Sequence, residues 1–232
     1  FDLEKMPDYR NVDASFDKLF TGLFSLNYSF LTKSLGAVED ENGIAANFYF
    51  YNSLVNKEYI PKLFADFSLA TLLPVKNSIF WLRLFSGVAF GDKDNLFTHF
   101  YFGGFGNNWV DYQDAQRYRS MESFPGFEIN QLEAKNFAKV MLEWNSTPIR
   151  FRNLGWLWFY VTYSRLSLFS SALATNYNRF KDIQTAYSLG SQLEFELVFF
   201  SLLKTNLAFG YGFGFQREQR LSKEFMISLK LY

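Results

Sequence analysis

Residues 206–215 read NLAFGYGFGF, so large apolar side chains alternate with Asn, Ala and Gly. Successive side chains of a β-strand point to opposite faces, which gives this segment one bulky apolar face and one nearly bare face. A soluble β-sandwich could bury the apolar face. In a transmembrane β-barrel the same face would contact lipid, and the small or polar face would line the lumen.

Composition favours the membrane interpretation and excludes several kinds of site. Aromatic residues make up 21% of the 232 residues, which suits a membrane-facing surface. The 23 Lys plus Arg balance 23 Asp plus Glu. Because phosphate binding needs a basic surface, we expect no nucleic-acid partner. The absence of Cys excludes disulfides and thiolate metal sites. The most apolar stretch, 154–163, is bounded by Arg152 and Arg165. It is shorter than the roughly 20 apolar residues that a membrane-spanning helix needs.

Period-two alternation bounded by turn residues predicts about ten β-strands. They lie at about 18–32, 44–52, 62–73, 78–90, 96–103, 134–145, 154–170, 184–200, 206–215 and 225–231. Strands of roughly 9 to 14 residues match a tilted bilayer crossing, whereas about 5 or 6 residues is usual in soluble sheets. The predicted fold is an all-β, antiparallel transmembrane β-barrel. Strand 154–170 is apolar on both faces, so its inward parity cannot be assigned.

Two segments around the middle of the chain carry a family resemblance. Residues 85–92, FSGVAFGD, and 100–104, FYFGG, resemble the strand pair before the sixth extracellular loop of the outer-membrane assembly factors, the bacterial surface-antigen superfamily. A long loop, a strand with Glu143, Pro148 and four further strands follow in the same order. The resemblance implies that residues 1–232 are the C-terminal portion of a longer chain and hold the last ten strands of a 16-stranded barrel.

Three further motifs are similar to a subgroup in which the barrel follows a periplasmic propeller-like region. They are GGFGNNW at 103–109, SFPGF at 123–127 and FMISLKL at 225–231.

The resemblance implies that loop 105–130 folds into the lumen. In the family, an Arg-Gly-aromatic triplet at the loop tip directs its Arg to acidic wall residues, but here Pro125 occupies the Arg position before Gly126 and Phe127. Arg117 or Arg119 takes over that role, or packing of Phe124 and Phe127 holds the loop. The remaining predicted loop-anchoring residues are Gly103 and Gly104, where the backbone turns inward, and the lumen-facing Glu143, Glu194 and Glu196.

Catalytic interpretations are weaker. Glu194 and Glu196 would lie about 7 Å apart on one strand face, which is a spacing of paired carboxylates in hydrolases. Ordinary lumen charges explain them more simply. His99 is the only histidine, and nothing near it suggests a metal site or a catalytic triad. We predict no catalytic residue, cofactor or metal.

The function implied by the resemblance is non-enzymatic insertion or translocation of proteins at the bacterial outer membrane. Expected partners are outer-membrane lipid, unfolded protein substrates, and periplasmic domains or lipoproteins. An under-paired edge of the last strand would pair with an incoming strand. Two alternatives stay open: a self-contained outer-membrane channel and a soluble lipid-binding barrel.

Overall fold

A computed structural model describes residues 19–55, 58–92, 95–105, 116–176, 183–216 and 221–231. The part of motif 103–109 that follows Phe105 lies outside these ranges. The regular elements are β1 (Leu19–Thr32), β2 (Asn42–Val55), β3 (Glu58–Leu72), β4 (Ile79–Ala89), β5 (Phe100–Phe102), β6 (Leu132–Ala134), β7 (Asn136–Asn145), β8 (Ile149–Arg150), β9 (Gly155–Trp156), β10 (Phe159–Thr175), β11 (Gln184–Phe199), β12 (Leu203–Gln216) and β13 (Ser222–Leu231), with 3₁₀ turns at Leu96–Thr98 and Arg117–Arg119.

Nine long strands form one sheet in the order β1-β2-β3-β4-β7-β10-β11-β12-β13. Every neighbouring pair is antiparallel, which confirms the predicted all-β antiparallel class. The short strands β8 and β9 add to β10, and β5 pairs with β6 in a separate sheet. β1 and β13 lie at the two ends of the order. Within the described segments, no helix is long and apolar enough to cross a membrane.

The prediction of a sheet strand at 96–103 is wrong, and with it the count of ten. Only Phe100–Phe102 is extended, and it pairs with Leu132–Ala134 while β4 pairs directly with β7. Phe100 and Phe102 pack edge-on against Phe137, at ring-centroid distances of 4.9 and 4.7 Å. Phe100 and Phe102 are spaced two residues apart because both rings cover the inner side of the main sheet. A lipid-facing strand would show the same spacing, so the sequence does not distinguish a covering segment from a strand of the main sheet.

The boundaries around residues 134–170 also differ from the prediction. The apolar residues 154–158 form a short connection in which Trp156 is 69% exposed, and the long strand β10 begins at Phe159. A β-bulge shifts the register between Val161 and Tyr163. A bulge places an extra residue in one strand and changes which parity faces inward. This bulge explains why one inward parity cannot be assigned along the whole of the predicted strand 154–170.

The sheet separates charge from apolar surface. We define the inner face as the one that bears Lys139, Glu143, Glu194 and Gly212, and the outer face as the opposite one. The strand register places only one Asp, Glu, Lys or Arg on the outer face of the described long strands: Lys223, the second residue of β13. The inner face bears Glu58, Lys62, Asp66, Arg83, Lys139, Glu143, Arg165, Glu194, Glu196, Lys204, Glu224 and Lys230.

The bare parity of residues 206–215 lies on this inner face and is covered by residues from the long β4–β7 connection. A Cβ atom at Gly212 would lie 2.7 Å from Pro125 Cβ, and one at Gly210 would lie 2.7 Å from the Phe105 ring. Real Cβ contacts are not that short, so the glycines provide space for the connection to pack closely.

We predict that Gly212→Ala destabilises the protein by about 1 to 3 kcal/mol, because the added methyl group overpacks the contact with Pro125. Gly22→Ala in β1 is the matched control, since the atom nearest to its Cβ would be Asn52 O at 4.0 Å. Urea unfolding of both variants measures the difference. Equal stabilities would contradict the close packing over β12.

Candidate functional site

The long connection between β4 and β7 doubles back on itself before it enters the interior. Phe124 N donates to Gly104 O at 2.8 Å, and Gly104 N donates to Phe127 O at 2.9 Å. We call Gly104, Phe105 and 124–127 the neck, and the described residues 116–123 the inward segment. Gly126 in the neck has φ +91°, and a Cβ there would lie 2.2 Å from Gly214 N. Only glycine fits this position.

Glu143 of β7 is the first buried carboxylate that the inward segment reaches. Arg119 Nε donates to both of its oxygens at 3.0 Å, and Tyr118 Oη donates to one at 3.0 Å. Arg83 of β4 lies 3.1 Å away in an ion pair, and Asn145 Nδ2 donates at 2.9 Å. Glu143 is 1% exposed, so these donors replace the water that its charge would otherwise need.

Arg119 extends the contact from the sheet to the β1–β2 turn. Its Nη1 and Nη2 donate to the two oxygens of Glu39 at 2.8 and 3.1 Å. Burial disfavours the charged guanidinium, but the carboxylates of Glu143 and Glu39 outweigh that effect and raise the pKa of Arg119 well above its usual value. The Arg119 charge is therefore permanent at any physiological pH.

Glu194 of β11 is the second buried carboxylate at the site. Gln116 Nε2 donates to it at 2.6 Å, Tyr163 Oη and Arg165 Nη2 donate at 3.0 Å, and Asn206 Nδ2 also donates. Arg165 Nη1 lies 2.8 Å from Glu39. Glu39 therefore joins the Arg119–Glu143 pair to the Arg165–Glu194 pair in one network.

Lys139 of β7 binds the main chain of the inward segment. Its Nζ donates to the carbonyl oxygens of Ser120, Met121 and Ser123 at 2.9, 3.1 and 2.6 Å. Lys139 is 1% exposed. An ammonium group has three N–H donors, so three converging carbonyls satisfy it fully.

The neck is held by the last part of the sheet. Glu224 Oε1 accepts the Phe105 N–H at 3.1 Å, and its Oε2 accepts the Gly126 N–H at 3.0 Å. Ser188 Oγ of β11 donates to Pro125 O at 2.6 Å.

Aromatic packing adds apolar contact to these polar anchors. The Tyr118 ring stacks on the Phe169 ring of β10 with centroids 4.2 Å apart. The Phe105 ring meets the Phe169 ring edge-on, with centroids 5.9 Å apart. Phe124 and Phe127 are buried with ring centroids 5.3 Å apart. Burial raises the pKa of the Tyr118 hydroxyl well above its usual value, with a further contribution from Glu143, so the hydroxyl stays a hydrogen-bond donor.

The structure brings most of the residues predicted from sequence to this site. Arg119 pairs with Glu143, and the rings of Phe124 and Phe127 lie against each other in the neck, together with Pro125 and Gly126. Arg117 lies in the same 3₁₀ turn as Arg119. Glu196 accepts a hydrogen bond from Thr162 of β10, within the sheet. Gly103 has φ +156°, and a Cβ there would overlap Glu128 O at 1.9 Å.

Sequence reasoning does not identify three of the anchors. Lys139 shares the inward parity of Glu143, but parity alone does not distinguish an anchor from any other inner-face charge. Glu224 also has inward parity, and nothing in the sequence marks its main-chain partners. Glu39 lies in a turn, where alternation gives no signal.

A cavity of about 790 Å³ remains between the inner face of β2–β4 and the inward segment. Its lining includes Tyr49, Lys62, Asp66, Arg83 and Met121. The described residues contain no group of three or more potential metal ligands. The two buried carboxylates are each surrounded by donors, an arrangement suited to holding the inward segment in place.

Comparisons with protein-family models, with curated proteins and with solved structures find no match to this chain.

We predict that Glu143→Gln lowers the free energy of unfolding by about 3 kcal/mol, because it leaves Arg83 and Arg119 without their shared counter-charge. Glu133→Gln, at an exposed position of β6, is the control and should change stability by less than about 0.5 kcal/mol. Denaturant unfolding followed by tryptophan fluorescence compares them. A Glu143→Gln protein as stable as the control would show that the network contributes little.

Proposed function

We propose that this chain is the C-terminal portion of a bacterial outer-membrane β-barrel of the assembly-factor type, which inserts or translocates proteins across the outer membrane. The observation that carries the proposal is the segregation of side chains between the two faces of the sheet. The outer face is apolar along nine long strands, and the inner face bears the charges and the inward segment.

The outer face is more apolar than a soluble monomer tolerates. Each long strand contributes to it, and side chains such as Phe24, Leu189 and Ile227 are 60%, 53% and 60% exposed. Soluble proteins rarely expose a contiguous apolar patch larger than a few hundred Å². The nine strands have 10 to 17 residues, and about 9 to 11 residues cross a bilayer when tilted. Lipid is the solvent that fits this face.

A soluble lipid-binding barrel would bury the apolar parity and expose the polar one. Here Gly212 and Glu194 are buried, while Tyr211 and Phe215 of the apolar parity are exposed. The burial pattern therefore argues against that alternative.

The strand order supports the assembly-factor type within the membrane class. The inward segment lies in the connection between β4 and β7, and five long strands, β7 and β10–β13, follow it. The resembling family also has five strands after its inward-folded loop. On that comparison the chain holds the last nine strands of a 16-stranded barrel, with barrel closure depending on strands outside residues 19–231.

A channel remains the second candidate because the interior is not filled. The cavity of about 790 Å³ beside the inward segment is lined by apolar rings such as Phe64 and Phe85 as well as by charged and hydroxyl-bearing side chains, and the polar part of this lining is what a water-filled path would use. Ion conductance across a bilayer separates the two candidates.

We predict that Leu142→Arg on the outer face of β7 blocks assembly in the outer membrane, because an arginine facing lipid costs about 2 to 4 kcal/mol near the bilayer centre. Leu202→Arg in the β11–β12 turn is the matched control and should be tolerated, because it lies outside the sheet. Leu202 is 88% exposed and Leu142 is 43% exposed, so exposure alone does not predict which substitution blocks assembly. Resistance to carbonate extraction and heat-modifiable gel migration measure assembly. Equal tolerance of both substitutions would contradict a lipid-facing outer face.

For the activity, we expect the full-length polypeptide in liposomes to accelerate folding or protease protection of an unfolded outer-membrane β-barrel protein added as substrate. Empty liposomes and liposomes with the Leu142→Arg variant are the controls. Steady ion conductance without any effect on the substrate would favour the channel and contradict insertion or translocation.

A further inference from the structure

Glu224 attaches the last strand, β13, to the neck by hydrogen bonds. The two oxygens of Glu224 accept one N–H each from Phe105 and Gly126, which lie on opposite sides of the neck. A carboxylate that accepts two main-chain N–H groups makes charge-assisted bonds, which are stronger than neutral ones. Glu224 therefore closes the neck and ties it to β13 at the same time.

Packing reinforces this attachment in the first half of β13. Glu224 is in register with Gly212, over which Pro125 lies, and Met226 is in register with Gly210. A Cβ at Gly210 would lie 2.7 Å from the Phe105 ring and 3.0 Å from the Met226 methyl carbon. Phe105 and Met226 thus share the space that the glycine leaves. In the described strand order β13 neighbours β12 alone, so its inner-face contacts with the neck supplement a single strand pairing.

The inward segment continues directly from the neck along the main chain and is hydrogen-bonded up to the charge network. Ser123 Oγ donates to Tyr118 O at 2.5 Å, and Lys139 Nζ holds three carbonyls between them. Arg119 follows directly and pairs with Glu143 and Glu39. The path from Glu224 to Arg119 therefore runs along main chain that is buried at 123–127 and held by Lys139 at 120–123.

We propose that Glu224 is a positioning residue that couples β13 to the inward segment, so that loosening one loosens the other. The coupling is a property of the fold. Its use rests on the proposed function, in which the edge of β13 receives an incoming strand. In that setting the inward segment, when bound to Glu143, holds the receiving edge in place, and its release frees the edge.

Thermodynamic linkage makes the coupling reciprocal. Removing the Glu224 contact should loosen the inward segment as well as β13. The described ion pairs of Arg119 are with Glu143 and Glu39, neither of which lies in β13. Substituting Arg119 should therefore loosen β13 only through the inward segment and the neck. If Glu224 only satisfied the N–H groups of Phe105 and Gly126, substituting Glu224 would not loosen the inward segment, and substituting Arg119 would not loosen β13.

Hydrogen–deuterium exchange on the full-length polypeptide in lipid nanodiscs tests this. The variants are Glu224→Gln, Arg119→Gln and the control Glu196→Gln, which makes the same change on the same face at a residue bonded to Thr162. Glu224→Gln should speed exchange in both 116–127 and 222–231 by roughly tenfold, the factor expected for losing a hydrogen bond to a charged group. Arg119→Gln should also speed both, and Glu196→Gln neither.

Unchanged exchange in β13 with Arg119→Gln would overturn the coupling, as would a Glu224→Gln effect confined to the neck. If Glu224→Gln fails to assemble, exchange in the Arg119→Gln variant decides the question. If Arg119→Gln also fails to assemble, Tyr118→Phe, which removes one hydrogen bond to Glu143, takes its place. Coupled exchange in a protein without insertion or translocation activity would refute the proposed function alone. An active protein in which Glu224→Gln behaves like Glu196→Gln would refute the coupling alone.

Discussion

Two buried carboxylates, Glu143 and Glu194, set the conditions for the interior of this protein. Their desolvated charges require donors, and the neighbouring strands supply only some of them: Arg83 for Glu143, and Arg165, Tyr163 and Asn206 for Glu194. The inward segment supplies the rest through Arg119, Tyr118 and Gln116. Because a buried charge that loses a partner is strongly destabilising, the segment and the sheet depend on each other.

Shape is the second constraint, and it acts on the opposite side of the same segment. The glycines of β12 remove side-chain volume where the neck crosses, and Phe169 of β10 provides the surface on which Tyr118 and Phe105 pack. Charge thus fixes the inward segment, and close packing together with Glu224 fixes the neck. Glu39 connects the two ion pairs from the β1–β2 turn, so an element far from the long connection in sequence takes part in holding it.

The same alternation that creates the outer apolar face creates this interior. Apart from the bulge in β10, the strands keep a period of two, so turning the uniformly apolar parity outward turns inward the parity that bears the charged and small residues, together with rings such as Phe137 and Phe169. The interior consequently contains enough polar groups to bind a loop by hydrogen bonds. A sheet with an apolar inner face would hold the same loop only by packing, with far less dependence on individual residues.

Local alternation was enough to predict the antiparallel all-β class, the parity of seven of the nine long strands, and the inward direction of Glu143, Glu194 and Gly212. Alternation is a property of adjacent residues, so it is readable without a fold. Three-dimensional contacts were needed to show that 96–103 leaves the main sheet, that a bulge after Val161 changes the parity of β10, and that Glu39, Lys139 and Glu224 anchor the inward segment. Phe100 and Phe102 alternate like lipid-facing residues because a ring that covers an inner face obeys the same period. Glu224 and Lys139 bind main-chain groups, which every residue has, so no side-chain pattern could identify their partners.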